Sequence, residues 1–101
     1  MSAMAFFSIT PIGKEESVSK YVARVVKKVE ESGLQWTLTP MGTIIEGETL
    51  EDVLKVINEG AEELKDCNRL SISIKIDYRR DRQSGMGNKV KSVMNKIDEV
   101  R

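Results

Sequence analysis

The run Pro40 to Glu48, Pro-Met-Gly-Thr-Ile-Ile-Glu-Gly-Glu, sets a carboxylate where a purely structural hairpin favours β-branched or aromatic residues. Thr39, Thr43 and Glu46 gather around a Pro-Met-Gly turn. Turned toward one side of a sheet, two hydroxyls and a carboxylate could hold a small polar or cationic ligand. Each has a plainer reading. Glu46 could be a solvated carboxylate near a strand end, and threonine is a good strand former wherever it stands. Met41 and Gly42 could serve only the turn, because glycine readily takes positive φ.

Other groups with chemical potential are scattered. Asp77 opens the charged run Asp77-Tyr78-Arg79-Arg80-Asp81-Arg82, whose guanidinium groups match oxyanions. A solvated loop is the plainer reading, with ion pairs of little worth. Gly85-Met86-Gly87 precedes a helix but fits neither GxGxxG nor GxxxxGK, so a turn is expected rather than a phosphate loop. Trp36 offers a stacking surface or a core and interface residue.

Histidine is absent and cysteine occurs once, at Cys67. Ser-His-Asp and Cys-His catalysis within this chain are thereby excluded. A zinc site would need carboxylates alone, a poor match to that metal. No metal site, no catalytic residue and no bound cofactor are expected. The lone Cys67 cannot form an internal disulfide; it fits a reducing cytoplasm and inert packing. Sixteen basic and sixteen acidic residues cancel, which argues against nucleic acid as partner. No apolar run is long enough to span a membrane, and the short apolar start lacks the marks of a signal peptide.

The 101 residues are expected to fold as one domain, burying about 65% of the surface that the unfolded chain exposes. Residues 3–10 read as a strand with Ala5, Phe7 and Ile9 on one face and Met4, Phe6, Ser8 and Thr10 on the other. A helix from about Ser17, its cap, to Ser32 carries Val18, Tyr21, Val22, Val25 and Val29 at helical spacing and stops at Gly33. Residues 35–39 and 43–48 make a hairpin. Thr49 caps a second helix that runs to about Lys65 and buries Val53, Leu54, Ile57, Ala61 and Leu64. In residues 69–78, Leu70, Ile72, Ile74 and Ile76 alternate with Ser71, Ser73, Lys75 and Asp77. A last helix, about Asn88 to Glu99, turns Val90, Val93, Met94 and Ile97 inward.

The order β-α-β-β-α-β plus one helix is the α+β, ferredoxin-like split βαβ plan, with two helices on one face of an antiparallel sheet. The isoleucines of the last strand then point at the helices. The other face mixes Phe6, Met4 and Trp36 with Ser8, Thr10, Ser71 and Ser73. Large apolar groups among hydroxyls suit an interface or a ligand site better than bare solvent. A second copy of the chain is expected to cover that face.

Over nearly its whole length the chain resembles the small cytoplasmic thiamine-binding proteins related to YkoF. The resemblance rests on a first strand ending near Pro11, the run Pro40 to Glu48, and the strand end Lys75-Ile76-Asp77-Tyr78-Arg79. It implies dimers joined through their sheets, dimers paired into homotetramers, and in some members bound thiamine or its pyrimidine half, without enzymatic activity. Thiamine carries a thiazolium cation, a flat aminopyrimidine and a hydroxyethyl tail. Glu46, Glu48 and Asp77 offer charge. Trp36 or Phe6 offers stacking worth roughly 0.5–2 kcal/mol where a cation is involved. Ser8, Thr39, Thr43 and Ser73 offer polar edges within an apolar pocket.

The expected ligand-binding set is therefore Ser8, Trp36, Thr39, Gly42, Thr43, Glu46, Ser73 and Asp77. The competing reading is a homo-oligomeric regulatory or assembly domain with no thiamine role. An RNA-binding module of the same strand order would need stacking aromatics on its central strands, and Thr-Ile-Ile-Glu-Gly-Glu supplies none.

Overall fold

The computed structural model describes residues 1–14, 18–81 and 86–100. Seven elements follow one another: β1 (Ser2–Pro11), α1 (Ser19–Glu31), β2 (Gln35–Thr39), β3 (Gly42–Gly47), α2 (Leu50–Glu62), β4 (Leu70–Arg79) and α3 (Met86–Val100). The strands form one antiparallel sheet in the order β2-β3-β1-β4. This is the expected ferredoxin-like α+β arrangement with an added C-terminal helix. The expected cap Ser17 and the loop residues Arg82 and Gly85 lie outside the described residues.

β1 pairs along both edges, with Ala5 opposite Ile45 on one side and Ile76 on the other. Partners across antiparallel strands share a face, so one residue's burial fixes the face of a whole row. Ala3, Ala5, Phe7 and Ile9 are buried beneath α1 and α2. Tyr21, Val25 and Val29 of α1 meet them, with Val53, Val56 and Ile57 of α2 and Leu64 just beyond it. The two helices touch where α2 has no side chain: a Cβ on Gly60 would stand 2.9 Å from Val25 Cγ1. Buried Cys67 completes this core as a free thiol.

Local chemistry sets the element ends. The Thr49 hydroxyl accepts a hydrogen bond from the Asp52 backbone N–H at 3.1 Å, the cap read from the sequence. Gly33 ends α1 at φ +78°, where a side chain would be strained. α1 starts after Val18 without a side-chain cap.

The β2–β3 turn is tied by one hydroxyl. Thr39 Oγ1 accepts from the backbone N–H of Met41 (3.2 Å) and of Gly42 (3.1 Å) and donates to the Gly42 carbonyl at 2.8 Å. Gly42 does not take positive φ, contrary to the expected reason for its presence. It is there for space: a Cβ would lie 2.7 Å from both Phe6 Cε1 and the Phe7 carbonyl oxygen.

Three expectations about burial fail. Leu54 faces solvent, and Val56 takes the buried place assigned to it. Val90, Val93, Met94 and Ile97 of α3 are exposed instead of inward. Ile72 and Ile74 face the helix side of the sheet, as read, yet remain 44% and 43% exposed, because α1 and α2 sit over the other three strands. Alternation reports which way a side chain points. It carries no information about how far a covering helix reaches.

Arg24 of α1 binds Asp66, beyond α2, with Nη2 2.9 Å from Oδ1. That hydrogen bond, helped by one from backbone, holds the Asp66 carboxyl below its ordinary value. The ionised form is thus favoured in the folded chain. Its contribution is complete above the ordinary carboxylate range of about 4 and is lost as pH falls through the lower folded-state value. The pair is half exposed, so the effect is small.

Two outcomes follow. Gly42→Ala should lower unfolding free energy by about 1–3 kcal/mol, read by urea denaturation, since backbone and a packed ring leave the methyl no room. Asp66→Asn should be slightly less stable than the parent at neutral pH, with the gap closing in acid; an equal gap at all pH values would contradict the assigned pairing.

Candidate functional site

The register divides the candidate residues between two faces. On the face away from α1 and α2, Gln35, Glu46, Met4 and Asp77 form one row across all four strands. The next row is Thr37, Ile44, Phe6 and Lys75. Beyond it Thr39 pairs with Gly42, and Ser8 pairs with Ser73. Trp36, Leu38, Thr43 and Ile45 point to the helix side. Trp36 packs half-buried against the core and is not on the open face where the sequence reading set it.

Thr43 and Glu46 thus lie on opposite faces, three residues and about 10 Å apart along β3. They do not form the single cluster that their spacing suggested. Glu46 is no solvated carboxylate: it is 7% exposed, although it lies on the uncovered face. A depression of ≈ 340 Å³ at the far end of the hairpin is lined by Glu46 with Met1, Gln35 and Glu48. Asp77 forms an ion pair with Lys89 of α3. Of the arginines in the charged run, Arg79 meets Asp81 and Arg80 lies over the Tyr78 ring at 5.0 Å.

Four of the eight candidates converge elsewhere. Ser8, Thr39, Gly42 and Thr43 line a cavity of ≈ 190 Å³ between α1, the end of β1 and the β2–β3 turn. Its apolar walls are Phe7, Ile9, Val18, Val22, Val25, Val26, Leu38, Pro40 and Met41, and Thr10 completes the lining; Ser8, Thr10 and Thr39 belong by register to the other face and border the cavity at the strand ends. Among the described residues no charged side chain lines it. Thr43 is its deepest hydroxyl, 4% exposed. Thr39 contributes differently: one hydrogen and two lone pairs are all spent on the turn, so its role is to hold Met41 and Gly42 in position.

The cavity opens into a groove of ≈ 660 Å³ between α1 and β2, with which it shares Val18, Val22, Val26, Leu38 and Thr39. Lys27 and Glu30 stand at the rim of that groove. Alone, the cavity is smaller than the about 300–1,000 Å³ typical of small-molecule sites. Its size suits one flat ring, with the groove lying open beyond it. Val18, Val22 and Val25 were read only as the helix's apolar face; with Val26, which was not singled out, they are the wall that sequence reasoning missed. Their stripe, Val18, Val22, Val25, Val26 and Val29, is wider than a core-facing helix needs.

Two arrangements result: a greasy slot with the Thr43 hydroxyl at its floor, and a mixed sheet face with buried Glu46. The first suits a flat heteroaromatic group held by apolar contact and a few polar atoms. Among the described residues no cluster has the makings of a metal site.

Comparison with known proteins agrees on the family. The family model for thiamine-binding proteins matches residues 5–94. The UPF0045 protein YqgV of Bacillus subtilis is 43% identical over 98 residues, covering 90% of this chain and 93% of that one. The UPF0045 protein MJ1052 of Methanocaldococcus jannaschii is 36% identical over 91 residues, covering 89% and 90%. The crystal structure of MJ1052 superposes with a TM-score of 0.81, at 35% identity over 91% of this chain and 95% of that one. A Thermotoga maritima protein with a suggested part in thiamine biosynthesis or salvage shares the fold, with a TM-score of 0.80 at 19% identity over 92% and 99%. The chain belongs to the thiamine-binding protein family.

Proposed function

We propose that this member of the thiamine-binding family is a non-catalytic binder that takes the aminopyrimidine of thiamine, or free hydroxymethylpyrimidine, into the cavity behind the β2–β3 turn. The observation that carries this reading is the convergence of Ser8, Thr39, Gly42 and Thr43 on one apolar slot with a buried hydroxyl at its floor. An aminopyrimidine is flat, uncharged at neutral pH and polar along one edge. The slot is apolar on its sides and hydroxylated at its end, and no described charged residue lines it. The thiazolium half would then extend into the outer groove, where Glu30 is the one carboxylate among the described lining residues. Bound this way, the vitamin is held without a nucleophile or general acid against it, which fits a carrier, buffer or sensor in the cytoplasm.

Titration calorimetry tests the placement. Thr43→Val keeps the side-chain shape and removes the hydroxyl. It should weaken hydroxymethylpyrimidine and thiamine binding by roughly 3- to 10-fold, the worth of one net hydrogen bond. Glu46→Gln should leave both affinities within about twofold. The reverse pattern, with loss on Glu46→Gln and none on Thr43→Val, would move the ligand to the open sheet face.

That open face supports a second part of the proposal. Phe6 is 40% exposed, with Met4 and Ile44 beside it, among Thr37, Ser8 and Ser73. We infer that a second copy of the chain packs there, sheet to sheet, and that such pairs assemble further into tetramers. Phe6→Lys should reduce the sedimentation mass at micromolar concentration while circular dichroism stays native. An unchanged mass, or a monomeric parent, would refute the pairing.

A further inference from the structure

We infer that α3 serves a second copy of the chain: its apolar stripe covers the uncovered isoleucines of the partner's β4, and the exchange is reciprocal. Among the described residues two further apolar surfaces lack cover, and they match. Val90, Val93, Met94 and Ile97 recur at i, i+3, i+4 and i+7, a single stripe along α3, and all are exposed, Val93 at 58%. α3 packs extensively on none of the other elements among the described residues. The second surface is the helix-side row of β4. Ile72 and Ile74 stand beside buried Ile9 and Phe7, at the place in the layer where a helix is missing.

The chain's own α3 is held away from that place. Lys89, in its first turns, pairs with Asp77, and Asp77 lies in the Met4 row on the opposite face of the sheet from Ile72 and Ile74. To reach its own isoleucines the helix would have to release that pair and cross the sheet edge. Instead it stands off the body: the radius of gyration is 15.3 Å, against about 13 Å for a compact chain of this length, and the long axis reaches 48 Å. The dimensions suit the exchange. Fifteen helical residues span about 22 Å, enough to lie along Ile72, Ile74 and Ile76 of an extended strand. A two-fold pair makes each contact twice, because the surface offered by one copy is the surface needed by the other. This inference depends on neither the ligand nor the pairing of open faces.

Disulfide trapping in the full chain decides it. Cysteines are placed in pairs, Ile72→Cys or Ile74→Cys with Val93→Cys or Met94→Cys, so that one of four registers meets the roughly 4.4–6.8 Å Cα separation that a disulfide requires. The wild type, whose Cys67 is buried, is the control. After mild oxidation at micromolar concentration, non-reducing electrophoresis should show covalent dimers for at least one pairing and none for the control. Co-expression of the two single variants should give the same mixed dimer. Closure within one chain would show that α3 folds back on its own sheet. Dimers from Val93→Cys alone would show helix against helix. Free thiols in all four pairings would show that α3 covers no β4 at all. Each of these three results overturns the inference.

Discussion

β1 is the strand on which every other assignment depends. Both of its edges are hydrogen-bonded, and its odd residues Ala3, Ala5, Phe7 and Ile9 are committed to the core. Period-two geometry then leaves Met4, Phe6, Ser8 and Thr10 no choice of face. Because β3 and β4 pair directly with β1, that parity passes to Thr43, Glu46, Ser73 and Asp77. A slip by one residue would bury Lys75 and Asp77 and turn the isoleucines outward, at a cost the fold could not offset. Where each polar candidate sits follows from the burial of two alanines, a phenylalanine and an isoleucine.

The sequence made this parity legible in β4, where Leu70, Ile72, Ile74 and Ile76 alternate with polar residues, and at the end of β1, where Ile9 stands between Ser8 and Thr10. It was less legible in the hairpin. Thr-Ile-Ile-Glu is a continuous run in which Ile44 and Ile45 look alike, yet Ile45 is fully buried and Ile44 lies on the uncovered face. Without a marked period, Thr43 and Glu46 read as neighbours in function, and Trp36 went to the wrong side. Signals that act within a few residues fared better: the Thr49 cap and the Gly33 stop need no tertiary context. The cavity was unreadable as such, because its wall comes from α1, β1 and the turn together. α3 was misjudged for the same reason, since an amphipathic stripe demands cover but does not name its source.

The two surfaces in play are separated by very little. Gly42 lines the cavity from one side, while the Phe6 ring presses where its Cβ would be on the other. At this point the wall between slot and open sheet face is backbone alone. Thr39 fixes that backbone with all three hydrogen bonds its hydroxyl can make. A rigid, side-chain-free partition transmits displacement because no flexible group stands there to absorb it.

This thinness bears on how binding and assembly relate. If a ring in the slot shifts Gly42, the Phe6 edge moves with it, and the surface offered to a second copy changes. By linkage the converse holds: packing against Phe6 alters the slot's affinity by the same factor. Ile45 is locked in the core and Glu46 is buried against the neighbouring strands, so neither yields easily. Any coupling between the proposed ligand and the proposed pairing would therefore run through the turn, with its strength set by how far Thr39 lets Gly42 move.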